Sequence, residues 1–141
     1  MNSPVTIDAS VFVSAFTPTE PAHQVSKAFM LSVREQSIPI IVPVLVLPEI
    51  SAALSRGQGK PELGKAFTQE LRNFPNTTFI DVDDGIAILA VEIAANNRLR
   101  GSDAIYAAVA LRFGTELITL DREQLDRLAK VLPVRAPQEG Q

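Results

Sequence analysis

Four acidic residues of this chain stand at the edges of apolar segments, where carboxylates are uncommon. Asp8 ends a short apolar run, Asp121 ends another, Asp103 opens a long alanine-rich segment, and Glu49 lies inside a fourth. A carboxylate beside a hydrophobic core is rare unless something compensates its charge. Four of them in such places indicate one shared compensator, and a divalent cation is the simplest candidate.

Length and charge limit the classes of protein that fit. A chain of 141 residues suffices for one domain, which we expect over residues 1–135, with a disordered tail at 136–141. The net charge of −3 argues against a module that binds nucleic acid through a basic face. It argues less against a nuclease, because metal ions neutralise the acids of such an enzyme.

Cysteine usage and hydropathy bear on compartment and assembly. The chain has no cysteine, which excludes disulfides and thiolate metal sites. It has neither the pattern of a signal peptide nor an apolar run close to the roughly 20 residues of a membrane span, so we expect a cytoplasmic protein. A hydrophobic content of 46% and a mean hydropathy of +0.15 favour a homodimer or higher homo-oligomer.

The apolar spacing alternates along the chain between the period of a strand and the period of a helix. Strands are predicted at residues 5–7, 40–42, 77–81 and 117–119, and a short apolar run at 132–134 would add a fifth. Helices are predicted from residue 9 to about 15 and at residues 20–36, 43–55, 61–73, 84–97, 103–113 and 122–130. Pro48 fits its helix only if it lies in the first turn.

Strands that alternate with helices predict a three-layer α/β fold, in which helices cover both faces of a mostly parallel sheet of four to five strands. Ligands of such sheets bind beyond the carboxyl ends of the strands. Asp8 and Asp121 each end a predicted strand. Glu49 lies in the first or second turn of the helix after the second strand, and Asp103 lies at a helix start. One acidic cluster is therefore geometrically possible.

Each acid also has a simple structural interpretation. Asp8, Asp103 and Asp121 could each cap a helix N-terminus with a side-chain oxygen. Glu49 is hard to explain as a cap, and its alternative is exposure to solvent. Taken singly, these interpretations stay open for every acid, but the combination and its order along the chain favour a shared site.

The acids and their neighbours resemble the motifs of the PIN-domain ribonucleases, especially the VapC-type toxins of bacterial and archaeal toxin–antitoxin pairs. The similar segments are residues 6–15, 42–54, 99–110 and 117–121, and the third is the most specific. The resemblance covers nearly the whole chain and implies a PIN-like fold. Two positions depart from the family pattern: Pro48 precedes the glutamate, and Ser10 stands where many members carry asparagine.

The resemblance implies a metal-dependent endoribonuclease whose catalytic acids hold the ion. Hard cations such as Mg²⁺ or Mn²⁺ prefer oxygen ligands, and one or two ions suit the hydrolysis of an RNA phosphodiester. We expect Asp8 and Asp103 to bind the ion directly. Glu49 and Asp121 would bind it directly or through water.

Other residues are expected to support the acids and the RNA. Ser10 and Thr119 are candidates for positioning a carboxylate or a water molecule. Arg98 and Arg100 could contact RNA phosphates, or they could be solvated charges that end the preceding helix. The resemblance further implies a small antitoxin protein that inserts a segment across the acidic cleft.

Two other functions that use acids at strand ends fit the sequence less well. A phosphoacceptor receiver domain expects paired acids after the first strand, but Ala9 follows Asp8. A dehalogenase-type phosphatase expects a second aspartate where Ser10 stands. Both are disfavoured. The open alternatives are a PIN fold retained as a scaffold or protein-binding module without nuclease activity, and a housekeeping nuclease that processes RNA.

Overall fold

The computed structural model describes residues 3–138. Its strands are β1 (Val5–Ile7), β2 (Ile40–Pro43), β3 (Thr77–Ile80), β4 (Glu116–Ile118) and β5 (Val134–Arg135). Its helices are α1 (Ala9–Phe16), α2 (His23–Glu35), α3 (Val46–Gln58), α4 (Pro61–Arg72), α5 (Asp84–Asn97), α6 (Gly101–Phe113) and α7 (Arg122–Arg127). None of the helices within residues 3–138 is both long and apolar enough to cross a membrane.

The five strands form one sheet in the order β3-β2-β1-β4-β5, and every neighbouring pair is parallel. Strand β1 lies in the middle, with Val5 opposite Ile40 of β2 and Ile7 opposite Ile118 of β4. The predicted three-layer α/β fold is therefore confirmed. Because all strands run in one direction, the segments that follow them begin along one edge of the sheet.

The middle of the sheet is covered on both faces, as the apolar strands of a parallel sheet require. Ile7, Ile40 and Leu117 are fully buried. Helix α6 packs across β1, β2 and β4, and its Ala104 and Ala108 are fully buried too. Since alanine is short, α6 can lie close to the strands, and this packing fixes its first turn relative to the sheet edge.

Helix α3 begins later than its sequence pattern predicts. It starts at Val46 rather than at residue 43, because Pro43 pairs with Ile80 and extends β2 by one residue. Pro48 is therefore the third residue of α3 and lies in the first turn, where a missing N–H leaves no helical hydrogen bond unmade.

The C-terminal elements are also shifted relative to the prediction. Helix α7 ends at Arg127 rather than at residue 130, because the chain turns there and the Val131 N–H donates to the Leu128 carbonyl at 2.9 Å. The last strand is Val134–Arg135 rather than residues 132–134. Residues 139–141 of the predicted tail lie outside the described part, so the disorder of residues 136–141 stays a prediction.

A buried threonine pair ties β1 to the segment that enters β4. The hydroxyl oxygens of Thr6 and Thr115 lie 2.6 Å apart, and both residues are buried. Thr6→Val keeps the side-chain shape but leaves the Thr115 hydroxyl without its partner, so we expect the free energy of unfolding to fall by about 1–3 kcal/mol. Urea denaturation measures this loss. The double variant T6V/T115V should recover most of it, and an equal or larger loss in the double variant would contradict this account.

Candidate functional site

All four predicted acids line one open cleft of about 610 Å³. Asp8 directly follows β1, and Asp121 lies just beyond β4, the strand beside it. The chain connections leave these two strands toward opposite sides of the sheet, which opens a crevice at their carboxyl ends. Glu49 of α3 and Asp103 of α6 complete the acidic lining. The topology thus brings together side chains that are up to 113 residues apart in sequence.

Two hydroxyl side chains hold Asp8 and connect it to the segment that carries Asp121. The Ser10 and Thr119 hydroxyls donate to Asp8 Oδ2 at 2.6 and 3.0 Å. The Ser10 N–H donates to the same oxygen at 3.3 Å, so Asp8 also caps α1. In turn, Ser10 Oγ accepts from the Leu120 N–H, and Thr119 Oγ1 accepts from the Asp121 N–H. Ser10 and Thr119 therefore lie where a positioning role requires them.

Asp103 and Asp121 are each bound from two sides. On one side, buried Gln124 donates from Nε2 to Asp103 Oδ1 at 3.2 Å, and its backbone N–H donates to Asp121 Oδ1 at 3.1 Å. On the other side, Arg100 donates from Nε to Asp103 Oδ2 at 3.1 Å and from Nη2 to Asp121 Oδ2 at 3.2 Å. Asp121 is thus the N-cap of α7, whereas the N-cap position of α6 belongs to Arg100 and not to Asp103.

Glu49 is held by a buried tyrosine on the neighbouring helix. The hydroxyl of Tyr106, the only tyrosine of the chain, donates to Glu49 Oε1 at 2.5 Å, and the Tyr106 side chain is fully buried. Burial, followed by the nearby charge of Glu49, raises the pKa of the Tyr106 hydroxyl far above its usual range. Tyr106 therefore stays a hydrogen-bond donor and directs one oxygen of Glu49.

The acids are close enough to influence one another's ionisation. Burial raises the pKa of Glu49, repulsion from Asp8 and Asp103 raises it further, and the bond from Tyr106 opposes both. Burial also raises the pKa of Asp103. Arg100 lowers this pKa, and repulsion from Asp121 and Asp8 raises it. Burial and mutual repulsion therefore disfavour the charged forms of Glu49 and Asp103, and Tyr106 and Arg100 offset this only in part.

The two arginines that were predicted to contact RNA have different surroundings. Arg100 lies against Asp103 and Asp121, with its side chain 70% exposed. Arg98 is exposed and ends α5 in a left-handed backbone conformation at φ 53°, and its carbonyl accepts from Arg127. Arg98 thus matches the alternative interpretation as the end of a helix, and its contact with RNA stays a prediction.

Besides Ser102 in the first turn of α6, which also lines the cleft, sequence reasoning missed four polar residues of this site. Two had a local signal: Tyr106 follows Asp103 by three positions on one helix face, and Gln124 follows Asp121 by three, the spacing of a capping box. The other two are Glu20 and Arg56, which are exposed and line the same cleft. Nothing in their sequence neighbourhood separates them from ordinary surface charges.

The cleft offers carboxylate oxygens, the donors that hard divalent cations prefer. As the side chains stand, however, no group of three acids or histidines within residues 3–138 is arranged to hold one ion. Gln124, Arg100 and Tyr106 occupy several of the oxygens. Binding an ion would therefore require exchange of some of these partners and rotation of carboxylates.

Several solved structures have folds similar to that of this chain. VapC20 of Mycobacterium tuberculosis, described as a sarcin-ricin loop cleaving toxin, has a TM-score of 0.74 and 18% identity over 94% of this chain and 99% of that chain. FitAcB of Neisseria gonorrhoeae has a TM-score of 0.73 and 16% identity over 94% of this chain and 97% of that chain. VapBC2 of Rickettsia felis, solved with a DNA fragment from its promoter, has a TM-score of 0.72 and 13% identity, and the match covers 96% of this chain and 99% of that chain.

These identities establish likeness of fold only, and no curated protein gives a significant sequence match. The family model described as "PIN domain" matches residues 5–131, which include all four acids. That match confirms the family resemblance inferred from the motifs. The chain belongs to the PIN domain family.

Proposed function

We propose that this chain is a divalent-metal-dependent endoribonuclease and the toxin of a toxin–antitoxin pair. The observation that carries the proposal is the convergence of four acids on one cleft of a PIN fold. Asp8, Glu49, Asp103 and Asp121 are the catalytic and metal-binding residues of this proposal. Mg²⁺ or Mn²⁺, as one or two ions, fits their oxygen donors.

The fit of the donor set to a hard cation rests on charge and on available oxygens. The raised pKa of Glu49 and that of Asp103 reflect burial and mutual repulsion, both of which a divalent ion would offset. Asp8 accepts its hydrogen bonds on Oδ2, and no bond from residues 3–138 falls on its Oδ1. Hydrogen bonds thus hold Asp8 by Oδ2, and Oδ1 would be available as a ligand for the ion.

The remaining residues would position this chemistry. A bound divalent ion supplies a more acidic water and positive charge for the phosphoryl oxygens. Ser10 and Thr119 fix the rotamer of Asp8, and Gln124 fixes one oxygen of Asp103. Tyr106 directs Glu49, which would accept a proton from the attacking water or orient it. These contacts keep the acids in place while the substrate phosphate enters the open side of the cleft.

The toxin assignment extends from the structural neighbours to this chain. VapC20 is described as cleaving the sarcin-ricin loop, and the Klebsiella pneumoniae neighbour is a toxin–antitoxin complex. By analogy, RNA is the substrate, and a small antitoxin protein would insert a segment across the acidic cleft. A homodimer or higher homo-oligomer and a cytoplasmic location complete the proposal.

One observation favours a second candidate, a PIN fold used as a scaffold or protein-binding module. Arg100 already neutralises part of the acidic charge without any ion. A scaffold would keep these contacts and would bind no metal, whereas a housekeeping nuclease would cleave RNA but lack an antitoxin. Metal-dependent cleavage separates the scaffold from both nucleases, and a small cognate inhibitor separates the toxin from the housekeeping enzyme.

The first test is cleavage of RNA by purified protein. Wild type should cut RNA with Mg²⁺ or Mn²⁺ and stop when the ion is chelated. Asp103→Asn should reduce the cleavage rate by at least about 100-fold, because loss of a direct ligand should exceed the effect of losing an outer one. Gel analysis of end-labelled RNA over time measures the rate.

The matched control for this variant is Asp126→Asn, which removes the same charge from an exposed position of α7 outside the cleft. It should leave cleavage unchanged. Cleavage that survives both the chelator and Asp103→Asn would reject the assigned chemistry.

The second test uses pH to detect the repulsion between the acids. The pKa of Glu49 is raised in the folded state, so the folded protein binds a proton at Glu49 more tightly than the unfolded chain does. This difference favours folding at low pH. It is lost as the pH rises from about 4, the pKa of an unperturbed glutamate, through the raised pKa of the folded state. Glu49→Gln should therefore stabilise the metal-free protein at pH 7, and its advantage over wild type should shrink toward pH 4. Urea unfolding with a chelator at several pH values measures the difference.

Glu70→Gln, on the exposed side of α4, supplies the control for loss of one glutamate charge. It should change the free energy of unfolding at pH 7 less than Glu49→Gln does. A Glu49→Gln variant that is less stable than wild type at pH 7 would show that the carboxylate is a structural element and not a strained ligand.

A further inference from the structure

Arg100 makes a two-pronged contact that joins two acids from different parts of the fold. Its Nε donates to Asp103 of α6, and its Nη2 donates to Asp121 beyond β4. The planar guanidinium holds its donors in a fixed fork, which suits two carboxylates better than a lysine ammonium does. Arg100 is therefore placed as a counter-ion inside the acidic cleft.

The oxygens that Arg100 occupies differ from those that the rest of the chain holds. Gln124 takes Oδ1 of Asp103 with its side chain and Oδ1 of Asp121 with its backbone N–H. Arg100 takes Oδ2 of both acids. Departure of Arg100 would thus release one oxygen of each acid at the same time, while the other oxygen stays anchored.

The two kinds of partner also differ in how firmly they are held. Gln124 is fully buried, whereas the Arg100 side chain is 70% exposed. Solvent and dissolved ions reach the exposed guanidinium and weaken its ion pairs, whereas they do not reach the buried amide of Gln124. Arg100 is the replaceable partner, and Gln124 is the fixed one.

We propose that Arg100 is an internal counter-ion that a divalent cation must displace from Asp103 and Asp121. This inference rests on the proposed metal-dependent function. Arg100 would hold the acids together before the ion arrives, and it would lower the affinity of the cleft for the ion. Once displaced, its guanidinium would remain at the cleft, where the phosphate of a substrate would enter.

The test measures Mn²⁺ affinity in the absence of RNA, by the loss of the free-ion signal in electron paramagnetic resonance. Wild type, Arg100→Gln, Arg100→Lys and Arg56→Gln are compared at one ionic strength, because salt screens exposed charges. Arg56 is the matched control, since it lines the same cleft but, among the described side chains, is bonded to neither Asp103 nor Asp121.

Arg100→Gln should bind Mn²⁺ roughly three- to thirty-fold more tightly than wild type, because it lacks the two ion pairs that the ion must otherwise break. Arg100→Lys keeps the positive charge but lacks the paired donors of the guanidinium, so its Mn²⁺ affinity should lie between those of wild type and Arg100→Gln. Arg56→Gln should change the affinity less than Arg100→Gln does. A metal-free melting curve checks that each variant is folded. If Arg100→Gln were unfolded, Arg100→Lys would decide, since it too should bind more tightly than wild type.

The possible failures separate the two proposals. Binding by Arg100→Gln that is equal to or weaker than wild type, or no tighter than Arg56→Gln, would overturn the counter-ion role and leave the metal site standing. Absence of Mn²⁺ binding in every protein would overturn the metal site and, with it, this inference.

Discussion

Repulsion among carboxylates at one edge of the sheet is the constraint to which the rest of this structure responds. Parallel strands place Asp8 and Asp121 side by side at the switch point between β1 and β4, and two helices add Glu49 and Asp103. Like charges in a partly buried cleft interact more strongly than they would in water. The fold therefore contains an unfavourable charge cluster unless hydrogen bonds, an arginine or a cation offset it.

The side chains around the acids answer this constraint in two ways. Ser10, Thr119 and Tyr106 donate hydrogen bonds that fix single carboxylate oxygens without removing the negative charge. Arg100 supplies positive charge instead, through contacts with Asp103 and Asp121 at the exposed side of the cleft. The hydrogen-bond donors thus hold the carboxylates in place, while the exposed Arg100 side chain can move away and leave room for an ion. Under the proposed function, this division of roles would allow a PIN domain to bind a divalent ion between its acids.

Much of this arrangement could be predicted from sequence, because its determinants are local. Buried strand runs, helical spacing and acids at the ends of strands indicated a mostly parallel sheet covered by helices and four acids that could share one site. The order of the strands was not predicted. Partners that depend on three-dimensional distance escaped prediction: the Tyr106 contact spans 57 residues, and the long Arg100 side chain could have turned toward solvent or toward acids. Glu20 and Arg56 also line the cleft, but nothing in the sequence distinguishes them from ordinary surface charges.

Anomalous diffraction from crystals soaked in Mn²⁺ tests most directly whether these acids hold a hard cation together. We expect an anomalous peak within the cleft, about 2–2.5 Å from carboxylate oxygens of Asp8 and Asp103, with Arg100 turned away from at least one acid. A cleft without a peak, at an Mn²⁺ concentration that saturates binding in solution, would contradict it. So would a peak at the molecular surface away from all four acids.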